Sequence, residues 1–439
     1  MRTIKRNVLF LLSVVMSASA GAQVMTLQDC LQDGLDRNYQ IRIARTDEEA
    51  SANNDSWAAA GGMPSLDMSA GYNGSMYSRD VTDNSGDVSP TRGVLDHTMS
   101  ATVSASWTVF NGFKVMASRE KLRELHSQGE LRTRIAIEDF VSQMASEYYN
   151  YVRQSIRMHN LNYAAELSKE RLRIVQERYN IGNNSRLDLK QTQVYFNADS
   201  AKCLKQNEAL ATARIRINKL MAEEQPDRYF TVADTAIALK SGLDFMTLEQ
   251  DMLASNLSLI KAESSSRVAQ EDLRSVNARN YPYLRLNADY GFTHNIYGSG
   301  TSSSRNNWGP GFGATLGINL LDGKHRTDRQ NAQLGVQNAE LSRQEVEQSL
   351  RASLADLWQA YQNNLRLLDL ERQNLLTARE SHEIACERYL IGDLSGIEMR
   401  EAQISLLDAE ESLLQAEYDT KVCEISLMQI SGHVLDYLQ

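Results

Sequence analysis

Residues 177–193 read ERYNIGNNSRLDLKQTQ, and residues 387–403 read ERYLIGDLSGIEMREAQ. The offset between the two stretches is 210 at the first Glu, at the Gly and at the last Gln. In each, a glycine, Gly182 or Gly392, stands where a long helical pattern pauses and then resumes. Glycine reaches positive φ without a Cβ clash, so it can close one helix and let the chain reverse. Each stretch therefore reads as the tip of a long helical hairpin. A period of about 210 residues is too long for a solenoid unit and points to a duplicated half-molecule.

Around the tips the pattern stays helical for a long way. The five prolines are Pro64, Pro90, Pro226, Pro282 and Pro310, so none falls in 112–225 or after 310. Proline would break a helix there. Gly112 to Ile181 is 70 residues, or ~105 Å of continuous helix. Leu161, Ala165, Ser168, Leu172, Val175 and Tyr179 recur at alternating steps of four and three, the spacing of a coiled-coil seam. His382 falls on the equivalent seam and reads as a packing residue. The return helices are expected over about 185–221 and 395–430.

Upstream of each hairpin the period changes to two. Leu66, Met68, Ala70 and Tyr72 alternate with polar or small residues, as do Met99 to Val109, Leu284 to Phe292 and Phe312 to Leu320. Strict alternation is the mark of a β-strand. Strands are expected at about 65–78, 98–110, 283–297 and 308–321, paired through polar loops that contain 79–87 and 298–307. Tyr72, Tyr77, Trp107, Tyr290, Phe292, Tyr297 and Trp308 crowd towards the strand ends, as in outer-membrane barrels. Matched turns, PheAsnGly at 110–112 and LeuAspGly at 321–323, lead from strand to helix. Thr26 with Asp29 opens a helix expected to run to about Gly61, and its counterpart begins near Thr247. Asn38 and Asn256 match between them.

Arg2, Lys5 and Arg6, the apolar run Val8–Val15 and the small residues up to Ala22 form a secretory signal peptide, expected over 1–22. No later stretch is apolar for long enough to span a bilayer as a helix, so any membrane entry would be as a barrel. The first half-repeat covers 23–221, a linker 222–246 and the second half-repeat 247–439. The formal charge of −10 gives no footprint for nucleic acid. Cys30, Cys203, Cys386 and Cys423 show no metal or CxxC spacing and read as buried thiols. No phosphate loop, nucleophile elbow, zinc motif or dinucleotide fingerprint occurs. No catalytic residue, cofactor or metal is therefore expected.

Four strands cannot close a barrel, for which eight is the practical minimum. Two copies would give eight strands and a filled interior, whereas three give twelve and room for a lumen.

With its signal peptide, two halves each built as helix, strand hairpin and helix, and RY-x-x-G tips followed by Leu-Asp or Ile-Glu, the chain resembles the TolC-type outer-membrane efflux family over 23–439. The resemblance implies a mainly α fold with a β-barrel. Two homologous halves would supply four strands per chain to a twelve-stranded trimeric barrel, above a long coiled-coil periplasmic tunnel. It implies a homotrimer set in outer-membrane lipid that works with a periplasmic adaptor and an inner-membrane transporter, passing drugs, other small molecules or secreted polypeptides. By position, Asp188 and Tyr389 match residues of the family's closed-state links, while the third partner, an Arg, is replaced by Leu394. Glu398 and Glu401 match the acids of the narrowest aperture. Gly182, Asn183, Asn184, Gly392, Asp393 and Leu394 are the expected adaptor contacts. The alternative is a periplasmic structural coiled-coil or adhesin-like protein, which would need no apolar strands bounded by aromatics.

Overall fold

The computed structural model describes residues 23–240, 242–300 and 302–438. The expected signal peptide lies outside the described residues. Fourteen principal elements follow in chain order. In the first half they are β1 (Gln23–Met25), α1 (Leu27–Arg37), α2 (Tyr39–Asn54), β2 (Ser65–Thr82), β3 (Val88–Asn111), α3 (Lys114–Asn180) and α4 (Arg186–Leu220). The strand β4 (Phe230–Val232) lies in the expected linker. The second half carries α5 (Phe245–Ser255), α6 (Leu257–Asn277), β5 (Tyr283–Ile296), β6 (Ser304–Gly317), α7 (Gly323–Ile391) and α8 (Gly396–Ile430). Among the described residues no helix is long and apolar enough to cross a membrane. The chain gathers into two compact units, and each draws on both halves of the repeat.

One unit comprises the described residues of 23–46, 132–260 and 346–438. Its core joins Met25, Leu31, Ile41, Phe140, Met144, Tyr148, Ile217, Phe230 and Ile425. β1 pairs in parallel with β4, Val24 opposite Thr231. At Gly34 the Phe140 ring packs directly on the α1 backbone, since a Cβ there would lie 2.2 Å from it. The capping box of Thr26 and Asp29 forms as expected. The continuous helix expected from it does not, because the chain breaks at Asn38 (ψ 126°) and α2 ends at Asn54. The break is built by one side chain. Asn38 Oδ1 accepts from the backbone N–H of Gln40 and Ile41, and its Nδ2 donates to Leu220 O at 2.9 Å. Asn256 repeats this between α5 and α6, with Ile430 O as its acceptor at 3.0 Å. In each half, one asparagine thus caps a new helix and ties it to the end of a return helix.

Cys30 is buried and the other three cysteines are half-buried free thiols; burial pushes the Cys30 thiol up to about 12, so it stays protonated. Half-buried His382 lies against Cys386, 3.7 Å from its sulfur.

The other unit comprises residues 47–131 and 261–345 and holds an antiparallel sheet of order β2-β3-β5-β6. Registers run Leu66 opposite Ala105, Val103 opposite Tyr290 and Ala288 opposite Phe312. The strands differ from expectation at their ends. β2 runs on to Thr82 and β3 begins at Val88, so residues 79–82 of the supposed loop at 79–87 belong to the ladder. Only a tight turn remains, in which Asp83 Oδ1 accepts from the N–H groups of Ser85 and Asp87. Pro90 is tolerated because β3 meets β5 only from His97 onward, leaving one side of that stretch free. β6 occupies 304–317, and Ile318–Leu321 leave the ladder. In the same unit α3 and α6 are joined by polar pairs, Lys121 to Asp272 at 2.6 Å and Glu124 to Arg267 at 3.0 Å.

Candidate functional site: the paired helical tips

α3 and α7 are 67 and 69 residues long and end alike. Gly182 and Gly392 have φ of +81° and +86°, so the left-handed turn that reverses the chain falls on the one residue type that adopts it without strain. The Gly182 N–H donates to Tyr179 O and the Asn183 N–H to Arg178 O; the Gly392 and Asp393 N–H groups do the same to Tyr389 and Arg388. This pair of bonds satisfies the last carbonyls of each helix.

Each return helix then starts on a capping box. Ser185 Oγ accepts from the Asp188 N–H while Asp188 Oδ2 accepts from the Ser185 N–H. Ser395 and Glu398 repeat the arrangement. Asp188 and Glu398, expected in different roles, are therefore the same residue of the repeat, both on duty at a helix N-terminus. Bonds from the Ser395 hydroxyl and backbone hold the exposed Glu398 carboxyl below its usual range. Glu401, one turn further on, is also exposed. Gly182, Asn183, Gly392 and Asp393 are exposed, and Asn184 and Leu394 are half-buried. Asp393 is held by Arg388 at 2.8 Å.

Within the chain Asp188 bonds to Ser185, while Tyr389 stacks under the Arg171 guanidinium of α3, 5.5 Å from the ring centre. Arg171 also donates to Gly396 O. This arginine joins the two tips and was absent from the sequence reading. So was a buried network one turn above. Arg400 of α8 forms a two-pronged pair with Asp199 of α4, both bonds 2.6 Å. Ser168 of α3 donates to the same carboxylate, and Arg400 also reaches Gln403 Oε1 at 3.3 Å. Tyr195 lies beneath the guanidinium at 5.3 Å. The positions equivalent to Arg400 and Asp199 in the other half are Lys190 and Ala409, so the repeat carries no trace of the pair. Among the described residues no cluster of His, Cys, Asp and Glu could hold a metal ion.

Residues 30–223 and 248–433 each match the sequence model of the outer membrane efflux protein family. The chain belongs to that family. It is an outer-membrane efflux channel protein and not an enzyme. TolC-like channels are homotrimers that interact with periplasmic adaptors and inner-membrane transporters. Among its relatives is outer membrane protein TolC of Vibrio cholerae, 20% identical over 381 residues that cover 84% of this chain and 82% of that protein. The solved structures it resembles share its fold at low identity. A membrane protein from Pseudomonas aeruginosa matches with TM-score 0.76 at 16% identity, covering 94% of this chain and 91% of that one. The outer-membrane channel CmeC of Campylobacter jejuni gives 0.75 at 17%, with 93% and 85% covered. The outer membrane protein VceC of Vibrio cholerae gives 0.73 at 16%, with 92% and 96% covered.

Proposed function

We propose that three copies of this efflux protein close a twelve-stranded barrel in the outer membrane and form the exit duct of a tripartite export system. The observation that carries this is the sheet. Leu66, Met68, Phe312 and Leu316 on one face are 74, 78, 90 and 74% exposed, so within one chain the apolar face has no cover. β2 and β6 are the edge strands of the sheet, and among the described residues the outer edge of each meets no further strand. A long apolar edge in water is an aggregation site, whereas in lipid, with β6 of each copy on β2 of the next, every backbone group is paired and the apolar face meets acyl chains. The opposite face, with Ser100, Thr102, Ser104, Asn287 and Thr315, would line a wet lumen suited to small molecules or polypeptides.

At the other end of the hairpins, the residues around Gly182 and Gly392 meet the adaptor. Tyr389 and Asp188 belong to the links that hold the resting tips, with Arg171 in place of the arginine missing at Leu394. Glu398 and Glu401 face the axis, so that three copies set a ring of carboxylates favouring cations. The test is single-channel recording in planar bilayers on Glu398→Gln/Glu401→Gln, after native mass spectrometry of the trimer. Glutamine keeps the bond to the Ser395 N–H, so the cap survives while the charge goes. Cation preference and block by trivalent cations should both fall. If selectivity and block stay at parent values, the acids do not face the aperture. A stable monomer in lipid would overturn the barrel.

A further inference from the structure

The first turns of α7 carry charge of the wrong sign for a helix start. Residues 323–329 read GKHRTDR, with no acid in the first turn, although a helix N-terminus repels cations. α4 and α8 instead place Asp188 and Glu398 there. The chain as a whole has a formal charge of −10, so the cluster is a local cationic spot on an acidic protein. The other half of the repeat has no counterpart. Aligned on Gly112 and Gly323, the positions of Lys324, Arg326 and Arg329 are Phe113, Val115 and Ser118.

In the sheet-bearing unit, Arg326 and Arg329 line an open cleft of about 270 Å³. Both are exposed, and neither has a partner among the described residues. At i and i+3 they share one face of the helix. The acids beside them are engaged. Asp328 holds Arg279 at 2.7 Å, and Asp322 Oδ1 accepts from the Lys324 N–H at 3.0 Å. Two open guanidinium forks on one face suit the oxygens of a phosphate. Apolar surface adjoins them. Ile318, Leu320 and Leu321, just past the end of β6, are 51, 89 and 96% exposed. In sequence, Ile318 and Leu320 continue the alternation of Phe312 and Leu316.

We propose that this junction binds the headgroup of an anionic phospholipid in the membrane leaflet that faces the periplasm. The phosphate bridges Arg326 and Arg329, Lys324 adds attraction at longer range, and an acyl chain lies along Leu320 and Leu321. The assignment rests on the barrel reading, since only a sheet set in lipid brings its helix-side rim to a headgroup layer. Charge selects among lipids. A net-negative headgroup gains from the whole cluster, whereas the ammonium of phosphatidylethanolamine is repelled by the same cations. The leucines select lipid over free phosphate, which would leave them uncovered in water.

The experiment is native mass spectrometry of the full-length protein in detergent, titrated with dioleoyl-phosphatidylglycerol or dioleoyl-phosphatidylethanolamine. The glycerol lipid should bind at the lower concentration, up to one per chain. Arg326→Gln/Arg329→Gln should raise its half-saturating concentration about thirtyfold, as loss of two surface cations implies, and should erase the preference. Leu320→Ser/Leu321→Ser should weaken both lipids while the preference survives. Equal affinity for the two lipids, or a double arginine variant that binds like the parent, would overturn the proposal. Inorganic phosphate that competes at equal concentration would name free phosphate as the ligand and overturn it too. So would a double arginine variant that falls from trimer to monomer, which would give these side chains to a contact between copies. A monomeric mass or absent conductance in the parent would count against the barrel instead, and the two failures are read from different signals.

Discussion

Replacing Arg400 by methionine tests how the second tip is held. The Arg400 and Asp199 side chains are 6% and 3% exposed and meet through paired bonds of 2.6 Å. Without the guanidinium, Asp199 is left as a buried carboxylate whose remaining partner in the network is the Ser168 hydroxyl. Breaking a buried pair from one side costs about 3–5 kcal/mol, far more than the pair contributes over an apolar replacement of both partners. If that cost falls on local opening of α8, amide exchange there should accelerate by about two to three and a half orders of magnitude. The assay is hydrogen exchange with mass readout on the intact protein, following peptides over 396–410, with peptides from α1 as the control. Arg400→Met paired with Asp199→Leu strands no charge and should recover most of the lost protection. The effect also has a pH signature. Burial raises the Asp199 carboxyl, but the bonds from Arg400 and Ser168 and the arginine's charge outweigh it and hold the group below its ordinary value. A carboxylate depressed by folding contributes fully above its unfolded pKa of ~3.9 and loses that contribution as pH falls through the folded value. The parent's contribution should therefore hold down to about pH 5 and be lost only below ~4, whereas the stranded Asp199 of the single variant, raised by burial once the guanidinium is gone, sheds its penalty by taking up a proton, so the difference should narrow as pH falls from neutral. Unchanged exchange in Arg400→Met, or a double variant as open as the single one, would refute the reasoning.

Three further outcomes follow from the same geometry. Asn38→Ala and Asn256→Ala each remove a helix cap and a bond to a return helix, and each should lower the unfolding free energy by about 1–2 kcal/mol, read from denaturant midpoints in detergent. Gly182→Ala and Gly392→Ala meet nothing within 4 Å and pay only the left-handed strain, about 1–2 kcal/mol; Gly112→Ala must also push aside a backbone oxygen and should yield little folded protein, compared by membrane-fraction yield. Glu138 is buried, and its desolvation raises its carboxyl from 4.5 to about 7. A carboxyl raised by folding costs stability that is absent below the unfolded value and complete above about pH 7, with a ceiling of about 3 kcal/mol at 1.36 kcal/mol per unit. Glu138→Gln should therefore raise the thermal midpoint at pH 8 and leave it unchanged near pH 4.

Much of the molecule could be read from residues close together in the chain. The duplicated tips were legible because each is a run of near-identical residues around a glycine. The strands were legible because alternation is a property of neighbours. The long helices followed from seam spacing and from where proline is absent. The two capping boxes were equally readable, as Ser-x-x-Asp and Ser-x-x-Glu at matched positions, beside the roles that family resemblance gives the same acids. What needed the tertiary structure involves partners far apart. The breaks at Asn38 and Asn256 depend on carbonyls 182 and 174 residues away, so the helical pattern simply reads through them. Strand ends are set by where a neighbour stops offering hydrogen bonds, which is why β2 and β3 outrun their alternation. Arg400 and Asp199 are 201 residues apart, and each by itself reads as a solvated charge on a helix. Local periodicity specifies elements; the pairing and burial of polar groups is decided only when those elements meet.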